Sequence, residues 1–308
     1  MASILSKAKI AANSGGRPPV AVELAPEGVL AAARPGPGQS PVYAFESLPP
    51  GALLPGIGEP NLRDPEAIAA AIRTALGQVS PRTRSITVIL PDTVVRVFVL
   101  DFDSLPPKPA EAFPVLRFRL RKMVPFDVEH AGLSYQVLSE TKTECKVLAA
   151  IIPGAILAEY EAAVRAAGYE PGAVISASLA ALESSDSTQE LDAVMGANLS
   201  AVALTTFIMN GSSLLLYRTV DLPIDPAQRV EEVQRGIAVA AAYFEDKLLV
   251  RPTRLHYAGI GAADNFARVI ADSELEVVDL APRPETGATT PLGYLSTAPL
   301  KGALAGAH

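Results

Sequence analysis

The chain has 308 residues, 49% of them hydrophobic and 19% charged, so it is long enough for one large or two ordinary globular domains. Its formal net charge of −7 argues against nucleic-acid binding, which requires a basic surface to replace phosphate counterions. The single cysteine, Cys145, excludes an internal disulfide, and no stretch reaches the roughly 18 apolar residues of a membrane span. We therefore expect a soluble protein of a reducing compartment that contacts the membrane only through partners.

The first half opens with a predicted three-stranded antiparallel meander. Strands are expected at 20–24, 29–34 and 41–48, with a turn at 26–28 between the first two. Asp64 and Pro65 supply an N-cap and a proline at the first helical position, so a helix is expected to start there. The apolar run 86–90 predicts a strand covered on both faces. This order of elements is typical of the opening half of a ribonuclease-H-like unit.

A block with a different pattern follows at 95–168. The expected elements are a strand at 95–102, a helix at 110–123, strands at 131–138 and 145–152, and a helix at 153–167. Cys145 lies in the second of these paired strands, so we interpret it as a buried small apolar residue rather than a nucleophile. The block is predicted to be a small subdomain inserted into the first domain.

The second half repeats the order of the first. A strand running into a helix is expected at 173–185, and a second group of strands is expected to begin at Leu199. Asn210 and Gly211 are a hairpin signal because both tolerate positive φ. Asp225 and Pro226 cap a long helix, and strand, helix and strand follow to about residue 282, with a short helix after Pro291. The repeated order suggests a duplicated domain.

Two segments of the chain resemble the PilM family of type IV pilus assembly proteins. The first is the phrase Val124–Asp127 (VPFD), followed by a strand that contains Leu133, Tyr135, Val137 and Leu138. The second is the phrase AGIG at 258–261, between a strand and a helix. The similarity extends over residues 18–282. It implies an α/β actin-like fold made of duplicated ribonuclease-H-like domains, with a small α+β subdomain inserted in the first half.

The resemblance also implies the domain bounds. A leader is expected at 1–17, a first actin-like domain at 18–94 and 169–192, the inserted subdomain at 95–168, and a second actin-like domain at 193–308.

Members of the family bind ATP between their two halves, but the first phosphate-binding hairpin is altered in this chain. Glu23, Leu24 and Ala25 stand where the family has Asp, an apolar residue and Gly, and no Lys follows in the next strand. Pro26 removes a backbone N–H donor from the turn. Glu23 and Glu27 are expected to add negative charge where a triphosphate would lie. This hairpin is therefore predicted to be unable to hold phosphate.

The rest of the nucleotide site is only partly preserved. The phrase at 194–200 keeps Gly196 but has Val194 in the acidic position, unless Asp192 serves instead. The best-preserved part is the AGIG phrase, with Gly259 and Gly261. We expect no cofactor and no efficient ATP hydrolysis, so the chain is interpreted as a pseudo-ATPase rather than an enzyme. ATP with Mg²⁺, bound near Gly196, Gly259 and Gly261, is the less favoured alternative.

The partner and location are implied by the resemblance alone. It implies a cytoplasmic scaffold at the inner membrane that binds the N-terminal cytoplasmic tail of a PilN-like bitopic membrane protein and other pilus-assembly components. Self-association into a homo-oligomer is a further expectation, and no nucleic acid is expected. The tail is predicted to bind as an extended strand in a groove of the inserted subdomain. The candidate groove residues, each also a plausible core residue, are Phe98, Leu100, Phe126 and Tyr135.

Two alternatives remain open on the sequence. The chain could be a cytoplasmic actin-like component of type II secretion, or a divergent kinase or ATPase of the same fold. A kinase would need a catalytic base, for which Asp92 is conceivable, although an Asp after a strand is usually a turn former. A metal site at Asp101, Asp103 and Glu111 fits the pattern less well than solvent exposure and helix capping do.

Overall fold

The computed structural model describes residues 17–36, 39–58, 60–184, 193–211, 213–283 and 294–305. The predicted leader, apart from Arg17, and the alternative ligand Asp192 lie outside the described residues.

The described chain contains strands and helices in an alternating order. The strands are β1 (Val20–Ala25), β2 (Gly28–Ala33), β3 (Val42–Ser47), β4 (Ser85–Leu90), β5 (Arg96–Phe102), β6 (Gly132–Glu140), β7 (Cys145–Ile152), β8 (Glu170–Ser176), β9 (Ala193–Leu199), β10 (Ala203–Asn210), β11 (Ser213–Asp221), β12 (Arg254–Gly259) and β13 (Glu276–Asp279). The α-helices are α1 (Pro65–Val79), α2 (Pro109–Leu120), α3 (Gly154–Ala166), α4 (Ala177–Leu182), α5 (Pro226–Leu248), α6 (Ala263–Val269) and α7 (Ala298–Ala305).

The first sheet has the strand order β3-β2-β1-β4-β8, in which β1, β4 and β8 run parallel and the meander β1-β2-β3 is antiparallel. Helix α1 begins as predicted, because the Asp64 carboxylate accepts a hydrogen bond from the Ala67 N–H at 2.9 Å. Its stripe of Ile68, Ile72 and Leu76 is fully buried against the sheet. Each of these three side chains stabilises the fold by roughly 1.5–3 kcal/mol.

The second sheet repeats this plan with the strand order β11-β10-β9-β12-β13. The predicted hairpin at Asn210 and Gly211 joins β10 to β11, and Gly211 has a φ of +55°. The Asp225 carboxylate caps α5 by accepting from the Gln228 N–H at 3.0 Å, as predicted.

The second group of strands begins at Ala193 and not at Leu199, so our prediction missed β9. The strand AVMGANL has weak β-propensity, because it contains Gly and Asn. Tertiary packing explains the glycine. A Cβ on Gly196 would lie 2.1 Å from the ring of Phe207 on the neighbouring strand. Gly196 therefore makes room for a buried aromatic ring in the core of the second sheet.

The inserted block forms a separate three-stranded antiparallel sheet with the order β5-β7-β6. One face of this sheet packs under α2, and Cys145 is buried there, as predicted. The opposite face of β5 and β7 contributes Val97, Val99 and Leu148 to an apolar cluster shared with the second sheet, β8 and α4. The insert is therefore packed against both halves.

Helix α7 packs against the first half, although its residues belong to the range 193–308 that we assigned to the second domain. Leu300, Ala303 and Leu304 are buried against strands β1, β2 and β4. Gly302 allows close contact with α4, because a Cβ there would lie 1.8 Å from the Ala180 carbonyl oxygen. The second half is thereby tied to the first sheet. None of the described helices is both long and apolar enough to cross a bilayer.

Candidate functional site

A cleft between the two halves lies at the carboxyl ends of strands from both sheets, where α/β folds usually place ligands. It is bordered by the ends of β1 and β9, by the residues that follow β4 and β8, and by the end of β12. The cavity inside it measures about 50 Å³. Small-molecule sites usually measure about 300–1,000 Å³, so this cavity lies below that range.

The first hairpin of the cleft is the tight β1–β2 turn, in which Ala25 pairs with Gly28. Pro26 and Glu27 form the turn and line the cavity, so one of the two turn residues has no N–H to donate. The side chain of Glu27 is partly exposed, and burial raises its pKa while its own backbone and Arg229 oppose that shift.

The second hairpin that faces the cavity is the β9–β10 turn, where Asn198, Leu199 and Ser200 from the end of the phrase 194–200 line the cavity. The Ser200 hydroxyl accepts hydrogen bonds from the N–H groups of Val202 at 3.3 Å and Ala203 at 3.0 Å. These donors are therefore engaged within the turn. Gly196 lies inside β9 and does not line the cavity.

The AGIG turn after β12 lies on the far side of the cavity. Gly259 lines the cavity, and a Cβ there would lie 2.7 Å from the Leu199 carbonyl oxygen. Gly261 has a φ of +78°, and its N–H donates to the Tyr294 carbonyl at 2.7 Å. The N–H of Ile260 donates to the Leu199 carbonyl at 2.9 Å. Both glycines thus have structural roles in a turn whose N–H donors are already bonded.

Glu23 on β1 is partly buried, and its Oε2 atom is shielded from solvent. Burial, followed by the proximity of Asp92 and Glu27, raises its pKa from the ordinary value of 4.5 to about 8. The Glu23 side chain is therefore protonated at neutral pH. Our expectation that Glu23 adds negative charge to the cleft is wrong, because a charge at this site would lose its hydration. Its Oε2 atom has no hydrogen-bond partner.

Asp92, at the start of a short 3-10 helix after β4, is the polar centre of the cleft. It is 8% exposed, and its carboxylate accepts hydrogen bonds from side chains of both halves. Burial raises the pKa of Asp92, and hydrogen bonds from Ser178, Thr205 and Tyr217 oppose this effect. The interpretation of Asp92 as an ordinary turn former misses these long-range contacts, which no local sequence pattern signals.

Metal ligands are not grouped in the part of the chain that the structure describes, where no three His, Cys, Asp or Glu side chains could hold an ion together. Asp101 lies 3.7 Å from Lys146, and Glu111 lies 3.5 Å from Lys108, so both are exposed ion-pair partners. Asp103 is exposed as well. The metal alternative for Asp101, Asp103 and Glu111 therefore has no geometric support.

A larger and more apolar groove of about 270 Å³ lies between the insert and the first sheet. Its walls come from β6 and β8, which are edge strands of their sheets, together with side chains of β7, α3 and α4. The apolar lining includes Leu148, Ile152, Leu157, Val174 and Leu179. Edge strands have unpaired N–H and C=O groups, so an extended chain in this groove could pair with backbone as well as fill apolar space.

Gln136 on β6 is the most unusual polar residue of the groove. It is 9% exposed, and its Oε1 atom has no hydrogen-bond partner. A buried acceptor without a donor costs about 1–3 kcal/mol. At the end of the groove, Arg17 forms a bidentate ion pair with Glu183, with N···O distances of 2.5 and 2.9 Å. Neither Gln136 nor Arg17 was signalled by the sequence, because only the fold brings them to the groove.

The four predicted groove residues belong to one core beneath α2. Leu100 is buried in it, and Phe98, Phe126 and Tyr135 pack against it. Of the four, Tyr135 also lines the groove, and its ring meets Phe113 edge-on with 5.3 Å between centroids. The phrase VPFD forms the turn after α2, where Asp127 accepts hydrogen bonds from the Glu129 N–H and the His130 ring.

Comparisons based on sequence identify no relatives: no protein-family model and no curated protein matches the chain. Comparisons of structure do. The chain is similar to the structure of the PilM-PilN type IV pilus biogenesis complex, with a TM-score of 0.70 and 18% identity, covering 94% of this chain and 98% of that chain.

Two further solved structures share the architecture. One is the cytoplasmic domain of EpsL, an inner membrane component of the type II secretion system of Vibrio cholerae, with a TM-score of 0.52, 12% identity and coverage of 92% and 94%. The other is a protein of unknown function with an actin-like ATPase fold from Bacteroides thetaiotaomicron, with a TM-score of 0.52, 10% identity and coverage of 96% and 98%. The chain therefore has the actin-like fold, and the predicted likeness to PilM is confirmed at the level of the fold.

Proposed function

We propose that the chain is an actin-like scaffold of a type IV pilus, or of a related envelope-assembly machine, and that it works by binding a peptide and not by catalysis. The groove between β6 and β8 is the main support for this proposal. It combines two edge strands, an apolar lining and a buried hydrogen-bond acceptor that has no donor. The fold comparison supports the choice of machine, since the similar structure is a complex of PilM with PilN.

The proposed ligand is the N-terminal cytoplasmic tail of a single-pass inner-membrane protein. An extended tail would donate backbone N–H groups to an edge strand and one N–H to Gln136 Oε1, while its apolar side chains replace water in the groove. Binding of such a tail would hold the protein at the cytoplasmic side of the inner membrane through its partner. Further pilus-assembly partners and self-association are part of the same proposal.

The cleft is proposed to be degenerate for nucleotide. Its small cavity, the absence of an N–H at Pro26 and the bonded N–H groups of the β9–β10 and AGIG turns all support this. We therefore propose no kinase or ATPase activity. Type II secretion stays the second candidate, because the EpsL cytoplasmic domain has the same fold.

The groove is tested first by affinity capture from detergent-solubilised native membranes, and then by titration with a synthetic peptide of the captured protein's cytoplasmic tail. Ser134→Arg introduces a charged side chain into the groove from β6, and it should weaken peptide binding by about tenfold or more. Val137→Arg is the matched control, since Val137 lies on the same strand, is 41% exposed and does not line the groove.

Gln136→Met gives a sharper test of the same site. Gln136 Oε1 is buried without a partner, so its removal should leave the free protein as stable or more stable, while peptide binding weakens by about tenfold. Equal peptide affinity of the wild type and of both groove variants would place the tail elsewhere and reject the groove. Capture of soluble metabolic proteins only would reject the scaffold itself.

A further inference from the structure

The polar centre of the cleft connects the two halves of the molecule directly. Asp92 Oδ1 accepts from the Ser178 N–H at 3.0 Å and from the Tyr217 hydroxyl at 3.3 Å. Asp92 Oδ2 accepts from the Ser178 hydroxyl, from Thr205 Oγ1 at 3.0 Å and from Asn198 Nδ2 at 3.4 Å. Ser178 belongs to the first half, whereas Asn198, Thr205 and Tyr217 lie on β9, β10 and β11 of the second sheet.

We propose that the Asp92 carboxylate is an intramolecular latch that holds the cleft closed without nucleotide. It binds three strands of the second sheet from the end of β4, in the cleft that the family resemblance assigns to ATP. The inference rests on the proposal that this cleft is degenerate for nucleotide. It assigns to Asp92 the contacts between the halves that a nucleotide would otherwise make.

The hydroxyl groups that donate to Asp92 can accept hydrogen bonds from other hydroxyls, which leaves their own hydrogens available for Asp92. A hydroxyl has a single hydrogen to donate. The hydroxyl of Thr219 lies 2.9 Å from Thr205 Oγ1 and can donate to it, so Thr205 keeps its hydrogen for Asp92. The hydroxyl of Ser176 lies 3.3 Å from the Tyr217 hydroxyl and can serve it in the same way.

Asn198 completes the network. Its amide also donates to Ser178 Oγ at 2.9 Å, so that the Ser178 hydroxyl directs its own hydrogen to Asp92. In a buried network of this kind, hydrogen bonds reinforce one another. A single carboxylate thus organises five donors from two halves.

Other contacts between the halves are less specific. The apolar cluster shared by the insert, α4 and the second sheet favours contact, but apolar burial is not directional. The ion pair of Arg96 and Asp221 contributes little, because its atoms are 3.7 Å apart and the Asp221 side chain is 66% exposed. The hydrogen bonds of Asp92 are therefore directional contacts that join the end of β4 to strands β9–β11.

The test compares Asp92→Asn with the wild-type chain by hydrogen–deuterium exchange and small-angle X-ray scattering. In this variant an NH2 group can take the place of Oδ2, so its hydrogens face the three groups that donate to Oδ2 in the wild type. The remaining oxygen still accepts from the Ser178 N–H. We expect amides of α4 and β9–β11 to exchange about tenfold faster or more, with a larger radius of gyration. Asp103→Asn, at an exposed carboxylate, is the matched control and should change neither measurement.

Two more variants separate a latch from a general loss of stability. Thr205→Val removes one donor from the second half and should raise exchange at the same amides by a smaller factor. If Asp92→Asn does not fold, Thr205→Val alone tests the latch. Adding Asn198→Asp to Asp92→Asn places an acceptor opposite the new amide, and it should restore part of the wild-type protection.

The latch is rejected if Asp92→Asn and Thr205→Val both exchange and scatter like Asp103→Asn. It is also rejected if the added Asn198→Asp further increases exchange instead of reducing it. The groove is measured independently on the same variants with the tail peptide. Normal peptide binding together with an unchanged cleft would reject the latch and leave the scaffold function standing.

Discussion

Glu23 and Asp92 are neighbouring carboxyl groups that differ in their hydrogen bonding. Asp92 has five hydrogen-bond donors, whereas Glu23 has an oxygen with no partner. Burial is the main reason that the pKa of Glu23 is raised to about 8, and the nearby Asp92 and Glu27 add to this shift.

Glu23 should make the stability of the fold depend on pH. Between its ordinary pKa of 4.5 and its folded-state pKa of about 8, the unfolded chain releases this proton while the folded protein retains it. The free energy of unfolding therefore falls as pH rises through this window, by up to about 1.4 kcal/mol per pH unit from Glu23. The neighbouring groups are Asp92 and Glu27, with Arg229 beside Glu27.

We expect Glu23→Gln to remove this contribution. The free energy of unfolding of the variant, relative to wild type, should increase steadily from about pH 5 to about pH 8. Urea denaturation at several pH values measures it, with the exposed Glu231→Gln as the control. Parallel pH profiles for wild type and Glu23→Gln would show that Glu23 titrates normally in the folded protein.

At the scale of elements, two helical glycines have opposite surroundings. Gly77, near the end of α1, has nothing within 4 Å of the position that a Cβ would take. Gly302, in α7, would place a Cβ 1.8 Å from the Ala180 carbonyl oxygen and 2.9 Å from the Ser184 nitrogen. Helix propensity favours alanine over glycine at both positions. The two positions differ only in packing, because there is room for a Cβ at Gly77 and none at Gly302.

We expect Gly77→Ala to stabilise the protein by about 0.5–1 kcal/mol and Gly302→Ala to destabilise it by about 1–3 kcal/mol. In Gly302→Ala, the α7 amides should also lose protection against hydrogen exchange, because the helix must move away from α4. Thermal and urea denaturation give the energies. Stabilisation by both substitutions would mean that α7 does not pack against α4 as described.

At the scale of the whole molecule, the two halves are joined by three kinds of contact. These are the apolar cluster around the insert, the packing of α7 on the first sheet, and the hydrogen bonds of Asp92. All three are made by the chain's own side chains, and together they enclose a cavity of about 50 Å³ between the halves.

A ligand that binds only the folded state raises the free energy of unfolding, by about 2.7 kcal/mol at a free concentration of 100 Kd. We expect millimolar Mg·ATP to leave the Tm within error of the value with MgCl₂ alone, whereas the tail peptide should raise it. A saturating rise in Tm with Mg·ATP would contradict the degenerate cleft, and a flat response to the peptide would contradict the groove.

Most of the fold was predictable from local patterns. The caps at Asp64 and Asp225, the hairpin at Asn210 and Gly211, and the periodicity of α1 all depend on residues within a few positions of each other. The exception among the strands is β9, because the glycine that lowers its propensity is required by Phe207 on the next strand. Propensity cannot register a partner that the chain brings close only after folding.

Spacing, caps and residue types in the sequence predicted most of the order of elements, and the resemblance to the PilM family implied the actin-like plan and the changes in the first hairpin. Only the tertiary structure decided the protonation of Glu23, the unpaired Gln136, the return of α7 to the first sheet and the contacts of Asp92. Asp92 and Tyr217 lie 125 positions apart in the chain. Burial and hydrogen bonding at such separations arise from how whole sheets pack, which no local pattern encodes.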